Sequence, residues 1–115
     1  MSRIKSGKVT RRRHKKVLKQ TKGFWGQRKN VFRRAKETLL RAMAFAFKGR
    51  KLKKRDMRAL FIARISAAAK ENGISYSKFM NGLKNKEVEL NRKMLSQIAV
   101  FDPQIFSKLV DISKG

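Results

Sequence analysis

The sequence predicts an all-α protein, a long basic amino-terminal helical extension followed by a small helical carboxy-terminal bundle. Three observations carry that expectation. No stretch alternates apolar and polar residues as a half-buried strand does. From Gln27 to Asn72 there is no Pro and a single Gly, Gly49, among residues that favour helix. Charge and apolar content also run in opposite senses: residues 1–58 hold 23 Lys and Arg against 2 acids, net +21, whereas residues 59–115 hold 9 against 5, net +4. The first stretch has 20 apolar residues and the second 27. A self-sufficient core therefore belongs to residues 59–115 and the extension to residues 1–58, with one helix crossing the boundary to about residue 72. A domain of about 60 residues buries only roughly 60% of its unfolded surface and is marginally stable alone.

Met1 to Lys22 is basic apart from Val9, Val17 and Leu18, and it contains the run Arg11, Arg12, Arg13, His14, Lys15, Lys16. Thr10 is the expected cap of a helix here, and blocks of like charge predict disorder for this segment in the free chain. Gly23, Phe24, Trp25, Gly26 reads as a turn. Gln27 to Asn72 then reads as one long helix or two collinear ones, with Phe32, Ala35, Leu39, Met43 and Phe47 on a single stripe. At 1.5 Å per residue such a helix reaches about 69 Å, wider than a globule of this length, so it must project and lie on something else. Met57, Leu60, Phe61, Ile65 and Ala68 make a wide apolar face near its end, and Asn72, Gly73 is a stop signal. Ser75 can cap a third helix, Tyr76 to Leu83. Phe79, Met80 and Leu83 point one way along it, and Ser77, Asn81 and Lys84 point the other. Asn91 can cap a fourth helix carrying Met94, Leu95, Ile98 and Ala99. Asp102 and Pro103 open a fifth that presents Phe106, Leu109 and Val110.

A formal charge of +25 on 115 residues is self-repelling. A polyanion relieves that repulsion, and nucleic acid does so with release of its condensed counterions. The cations at Lys48, Arg50, Lys51, Lys53, Lys54, Arg55 and Arg58 fall on all sides of a helix, which suits a cleft walled by phosphates inside folded RNA better than one DNA groove. The expected RNA contacts are these together with Arg3, Lys5, Lys8, Arg11, Arg12, Arg13, His14, Lys15, Lys16, Lys19, Lys22, Arg28, Lys29, Arg33, Arg34 and Arg41, with phosphates assigned to Arg11 through Lys16, Arg28, Arg33, Arg34, Arg41 and Lys48 through Arg58. Phe24 and Trp25 are expected to stack on unpaired bases rather than on the arm's own helix. Ser77, Lys78, Asn81 and Lys84 form the expected RNA surface of the carboxy-terminal domain.

No residue pattern points to catalysis, a metal or a cofactor. His14 is the only histidine and stands among cations, the seven acids form no metal loop or general-acid pair, and there is no Cys. The glycines match neither nucleotide-binding fingerprint. The amino terminus lacks the apolar core of a signal peptide, and Leu39 to Phe47 is too short to span a bilayer. A helix-turn-helix DNA binder is the alternative reading of the short carboxy-terminal helices, but Asn91 to Phe101 offers only Arg92 and Lys93 for reading bases. A membrane-active cationic helix is a further rival.

Five tags stand in order along the chain: Arg11-Arg12-Arg13-His14-Lys15-Lys16, Lys22-Gly23-Phe24, Lys54-Arg55-Asp56-Met57-Arg58, Ile62-Ala63-Arg64-Ile65 and Asn72 through Lys84. In these the chain resembles the bacterial large-subunit ribosomal proteins of the L-twenty family over nearly its entire length. The resemblance implies an extended helix threaded through 23S ribosomal RNA, a small helical domain docked on the RNA surface, and a role early in subunit assembly. It also implies a cytoplasmic, ribosome-bound monomer beside other large-subunit proteins, with no membrane and no small-molecule substrate. In some bacteria such a domain also represses translation of its own operon by binding its messenger RNA. Trp25 and Lys48-Gly49-Arg50 depart from the family pattern.

Overall fold

A computed structural model describes residues 3–115; Met1 and Ser2, the start of the expected extension, lie outside the described residues. Five α-helices follow one another: α1 (Gly7–Gln20), α2 (Phe32–Glu71), α3 (Tyr76–Asn85), α4 (Arg92–Phe101) and α5 (Pro103–Lys114). A 3-10 turn over Gly26–Lys29 separates the first two, and no strand occurs among the described residues. The all-helical expectation holds. The chain divides into two compact units, one ending at Lys51 and one running from Leu52 to Gly115, and α2 contributes to both.

In the first unit α1 begins at Gly7, not after Thr10. Thr10 N donates to Ser6 O at 2.9 Å, so Thr10 already lies in the first turn and cannot be its cap. His14, Val17, Leu18 and Thr21 recur at i, i+3, i+4 and i+7 and form the half-buried to buried stripe of this segment. Thr21 is wholly buried just past the helix end, where its hydroxyl donates to the Leu18 carbonyl at 3.1 Å. The His14 ring stacks on Phe32, with centroids 3.7 Å apart and planes 13° from parallel.

The long helix starts at Phe32, later than the expected Gln27. Gly26 is left-handed (φ 61°) and turns the chain into a 3-10 arrangement, closed by Asn30 N donating to Gln27 O at 3.1 Å. The α pattern sets in with Ala35 N donating to Val31 O at 2.8 Å. The expected apolar stripe lies on this helix and is covered only at its start. Ala35 is buried and Phe32 and Leu39 half-buried, yet every residue from 43 to 60 is exposed, Met43, Phe47, Met57 and Leu60 included. Within each unit no other described element covers that span. Burial returns at Phe61, Ile65, Ala68 and Ala69.

In the second unit Ile65, Ala69, Phe79, Leu83, Leu95, Phe106, Leu109 and Val110 form one buried cluster. Phe79 and Phe106 meet at 5.0 Å between centroids in a tilted pair. α2 ends in a Schellman motif: Gly73 takes φ 77°, its N–H donates to Lys70 O, and Ile74 N donates to Ala69 O. Asn72 secures the same corner. Its amide donates to Ala68 O at 2.8 Å, its side-chain oxygen accepts from Ser107 Oγ at 2.9 Å, and its carbonyl accepts from Lys114 Nζ at 3.2 Å.

Ser75 and Asn91 cap α3 and α4 as expected, their side-chain oxygens accepting from Lys78 N and Met94 N. Pro103 opens α5, while the Asp102 side chain makes no capping bond. Of the apolar residues on α4, Leu95, Ile98 and Ala99 define the inward face, and Met94, about 100° away from Leu95 around the helix, is exposed. The third helix runs on to Asn85 before a second Schellman-type stop, in which Glu87 N donates to Lys84 O and Val88 N to Leu83 O. The left-handed position there belongs to Glu87 (φ 56°), not to a glycine.

Helix α5 packs on both α3 and α4. Its approach to α3 is closest at Gly82, where an added Cβ would fall on the Ser113 carbonyl oxygen and within 2.8 Å of the Ser113 Cβ. Gly82→Ala should therefore destabilise the fold by about 1–3 kcal/mol through overpacking, read as a lowered midpoint in urea unfolding followed by circular dichroism. Glu87→Gly should do the reverse. Relief of the left-handed strain is worth about 1 kcal/mol, which for a unit of this size is a rise in melting temperature of about 4–8 °C.

Candidate nucleic-acid interface

Of the 32 Lys and Arg side chains, every one except Arg92 is exposed. Charged groups avoid burial, so exposure alone is unremarked; their grouping by the helical repeat is informative. On α1, Lys8, Arg11, Arg12 and Lys15 at i, i+3, i+4 and i+7 line a shallow concavity of ≈ 350 Å³. They stand away from the stripe of His14, Val17, Leu18 and Thr21. The helix thus has a packed side and a cationic side. His14 belongs to the packed side through its stack on Phe32, whereas Arg13, Lys16 and Lys19 are exposed, as are Arg3, Lys5 and Lys22 on either side of α1.

The turn after α1 separates the two aromatics that the sequence reading took together. Phe24 is half-buried and Trp25 is 88% exposed. Left-handed glycines at Gly23 (φ 89°) and Gly26 (φ 61°) bracket them, and Trp25 itself is extended (φ −68°, ψ 139°). Trp25, Gln27, Arg28, Val31 and Arg34 line an open cleft of ≈ 390 Å³. Arg28 is held in place: its Nη1 donates to Thr38 Oγ1 at 3.1 Å, and that hydroxyl donates to Arg34 O at 2.8 Å. The sequence reading missed Gln27 and Val31, whose types carry no binding signal until the 3-10 turn brings them to the cleft. Lys29 lies in the same turn, and Lys29, Arg33 and Arg41 are exposed.

Along the uncovered span of α2, Lys48, Arg50, Lys51, Lys53, Lys54, Arg55 and Arg58 are helical and exposed. Steps of about 100° spread them over roughly 220° of the circumference, while Gly49, Leu52, Asp56, Ala59 and Leu60 hold the remaining sector, which corrects the expectation of cations on all sides. Lys51 Nζ lies 4.6 Å from the centroid of the Phe47 ring, so part of the exposed apolar surface is shared with a cation. Several of the cations are i, i+4 neighbours of like sign, Arg50 with Lys54, Lys51 with Arg55 and Lys54 with Arg58, each destabilising the isolated helix by about 0.2–0.5 kcal/mol.

In the second unit Ser77, Lys78, Asn81 and Lys84 are all exposed on α3, opposite buried Phe79 and Leu83. Arg92, one of the two cations that a recognition helix could have used, is half-buried and donates from Nε to the Tyr76 hydroxyl at 3.0 Å. That leaves Lys93 alone on α4.

Residues 3–109 match the family model described as Ribosomal protein L20. The chain belongs to the ribosomal protein L20 family. It is 55% identical over 114 residues to the large ribosomal subunit protein bL20 of Caldanaerobacter subterraneus subsp. tengcongensis, covering 99% of this chain and 96% of that protein. The protein of the same description from Clostridium botulinum strain Hall is likewise 55% identical, with the same coverage. Membership of the ribosomal protein L20 family makes the chain a structural ribosomal protein and not an enzyme. No helix among the described residues is long and apolar enough to cross a membrane.

Proposed function

We propose that this chain is a structural constituent of the large ribosomal subunit that binds 23S ribosomal RNA directly and promotes early assembly of the subunit. The observation that carries the reading is the span 43–60 of α2, an exposed helix with seven cations spread over more than half of its circumference. Such a rod repels itself in water and is stabilised only where phosphates approach from several sides. Residues 1–58 act as the penetrating arm, and residues 59–115 as a compact domain that meets RNA through Ser77, Lys78, Asn81 and Lys84. By neutralising converging RNA segments the arm holds them together, and by linkage the RNA stabilises the small domain in return. Other large-subunit proteins are its neighbours, and the stripe on α3 is also the surface through which the domain would take its own messenger RNA.

Two experiments test this. Replacing Lys48, Arg50, Lys51, Lys53, Lys54 and Arg55 with Gln should flatten the plot of log affinity for folded ribosomal RNA against log salt by about 4 to 5 units of slope, because each lost phosphate contact removes roughly 0.7–0.9. An unchanged slope rejects the arm's role. Changing Asn81 and Lys84 together to Ala should weaken binding of the full chain to its ribosomal RNA site by about 1–3 kcal/mol with circular dichroism unaltered. Full affinity would place the domain's RNA contact on another face.

A further inference from the structure

We propose that the cleft formed by Trp25, Gln27, Arg28, Val31 and Arg34 is a receptor for one unpaired nucleobase, distinct in kind from the phosphate contacts of the arm. The inference rests on the reading of the chain as an RNA binder and names what this part of it takes. Four observations lead to it. Trp25 is 88% exposed although Phe24, its neighbour, is half-buried, so the turn directs one ring inward and one outward. Positive φ at Gly23 and Gly26 sets the backbone on both sides of the pair, which keeps the indole outward. The concavity beside it, ≈ 390 Å³, is within the range of small-ligand pockets and almost wholly apolar in lining, with Val31 as an apolar wall. Arg28 is already oriented by Thr38 at 3.1 Å, so a guanidinium plane is in place at the rim before any ligand arrives.

Each component suits part of a nucleotide. The indole face takes a base by stacking, which every base permits and which needs no particular sequence. Arg28 and Arg34 meet the flanking phosphates, and the Gln27 amide offers both a donor and an acceptor to a base edge. A duplex keeps its bases stacked on one another and presents none to a side cleft, so the site distinguishes a bulged or looped-out residue from a regular RNA helix. The cationic span of α2 makes no such distinction. The molecule thus carries two modes of contact, one that senses phosphate density and one that senses an unpaired base.

Trp25 is the only tryptophan in the chain, so its fluorescence reports this site alone. The full chain is titrated at physiological salt with a short unpaired oligoribonucleotide and, separately, with a regular RNA duplex of matching phosphate count; a labelled RNA end reports the bound fraction. At equal bound fraction the unpaired RNA should quench the indole strongly and the duplex should not. Trp25→Leu should weaken binding of the unpaired RNA about tenfold and leave the duplex unaffected, whereas Trp25→Phe, which keeps a ring face, should retain most of the affinity. Equal quenching by both RNAs, or unpaired-RNA affinity unchanged in Trp25→Leu, overturns the base receptor. Absence of quenching while both RNAs bind also overturns it and turns the exposed indole toward a protein neighbour. Failure to bind either RNA removes the RNA-binding reading itself, a different result from loss of the receptor alone.

Discussion

Repulsion among like charges on a single uncovered helix is the constraint to which the rest of this molecule answers. Between residues 43 and 60 every residue of α2 is exposed, and its cations stand at i, i+3 and i+4 from one another. Helix propensity favours the conformation there, since Ala, Leu, Lys and Arg dominate, but the electrostatics oppose it. Gly49 sits in the same span, makes no close approach to any other group and costs about 1 kcal/mol relative to Ala. Among the described residues only helix propensity and the Lys51–Phe47 contact work against these terms. A partner dense in negative charge would do so, supplying the ordering that a packed core supplies elsewhere.

The second unit is organised on the opposite principle. Its helices stop at defined points through two Schellman motifs, start at side-chain caps on α3 and α4, and converge on one cluster from Ile65 to Val110. The Asn72 corner ties the end of α2 to Ser107 and Lys114 of α5, and Gly82 lets α3 approach α5 closely. Residues with strong local conformational preferences therefore build one buried core from the unit's own helices. The exposed polar stripe on α3 is held by that core as a fixed surface.

Much of this was legible in the sequence, for reasons that differ by element. Ser75, Asn91, Gly73 and Pro103 act locally, so the boundaries they mark fell where expected. Phe106, Leu109 and Val110 were readable because their spacing and their burial follow the same helical repeat. The failures came where tertiary context decides. An apolar stripe at helical spacing does not reveal whether anything covers it, and Met43, Phe47, Met57 and Leu60 stayed exposed because nothing does. Thr21 and Gly82 gave no signal, since a buried hydroxyl and a close backbone approach depend on neighbours distant in the chain.

The aromatic turn shows how these two kinds of information combine. Composition alone made Phe24 and Trp25 equivalent, and the absence of an apolar core in the arm argued that both face RNA. The arm nevertheless has a small packed side, made of His14, Val17, Leu18 and Thr21 with Phe32 and Ala35, and against that background one aromatic is half-buried and its neighbour is not. Hydrophobic surface the size of an indole is costly to leave in water, and the glycine-bracketed backbone keeps it there. An outward ring sharing a cleft with an oriented guanidinium is therefore better understood as half of a contact than as a packing defect, and a flat group flanked by negative charge would complete it.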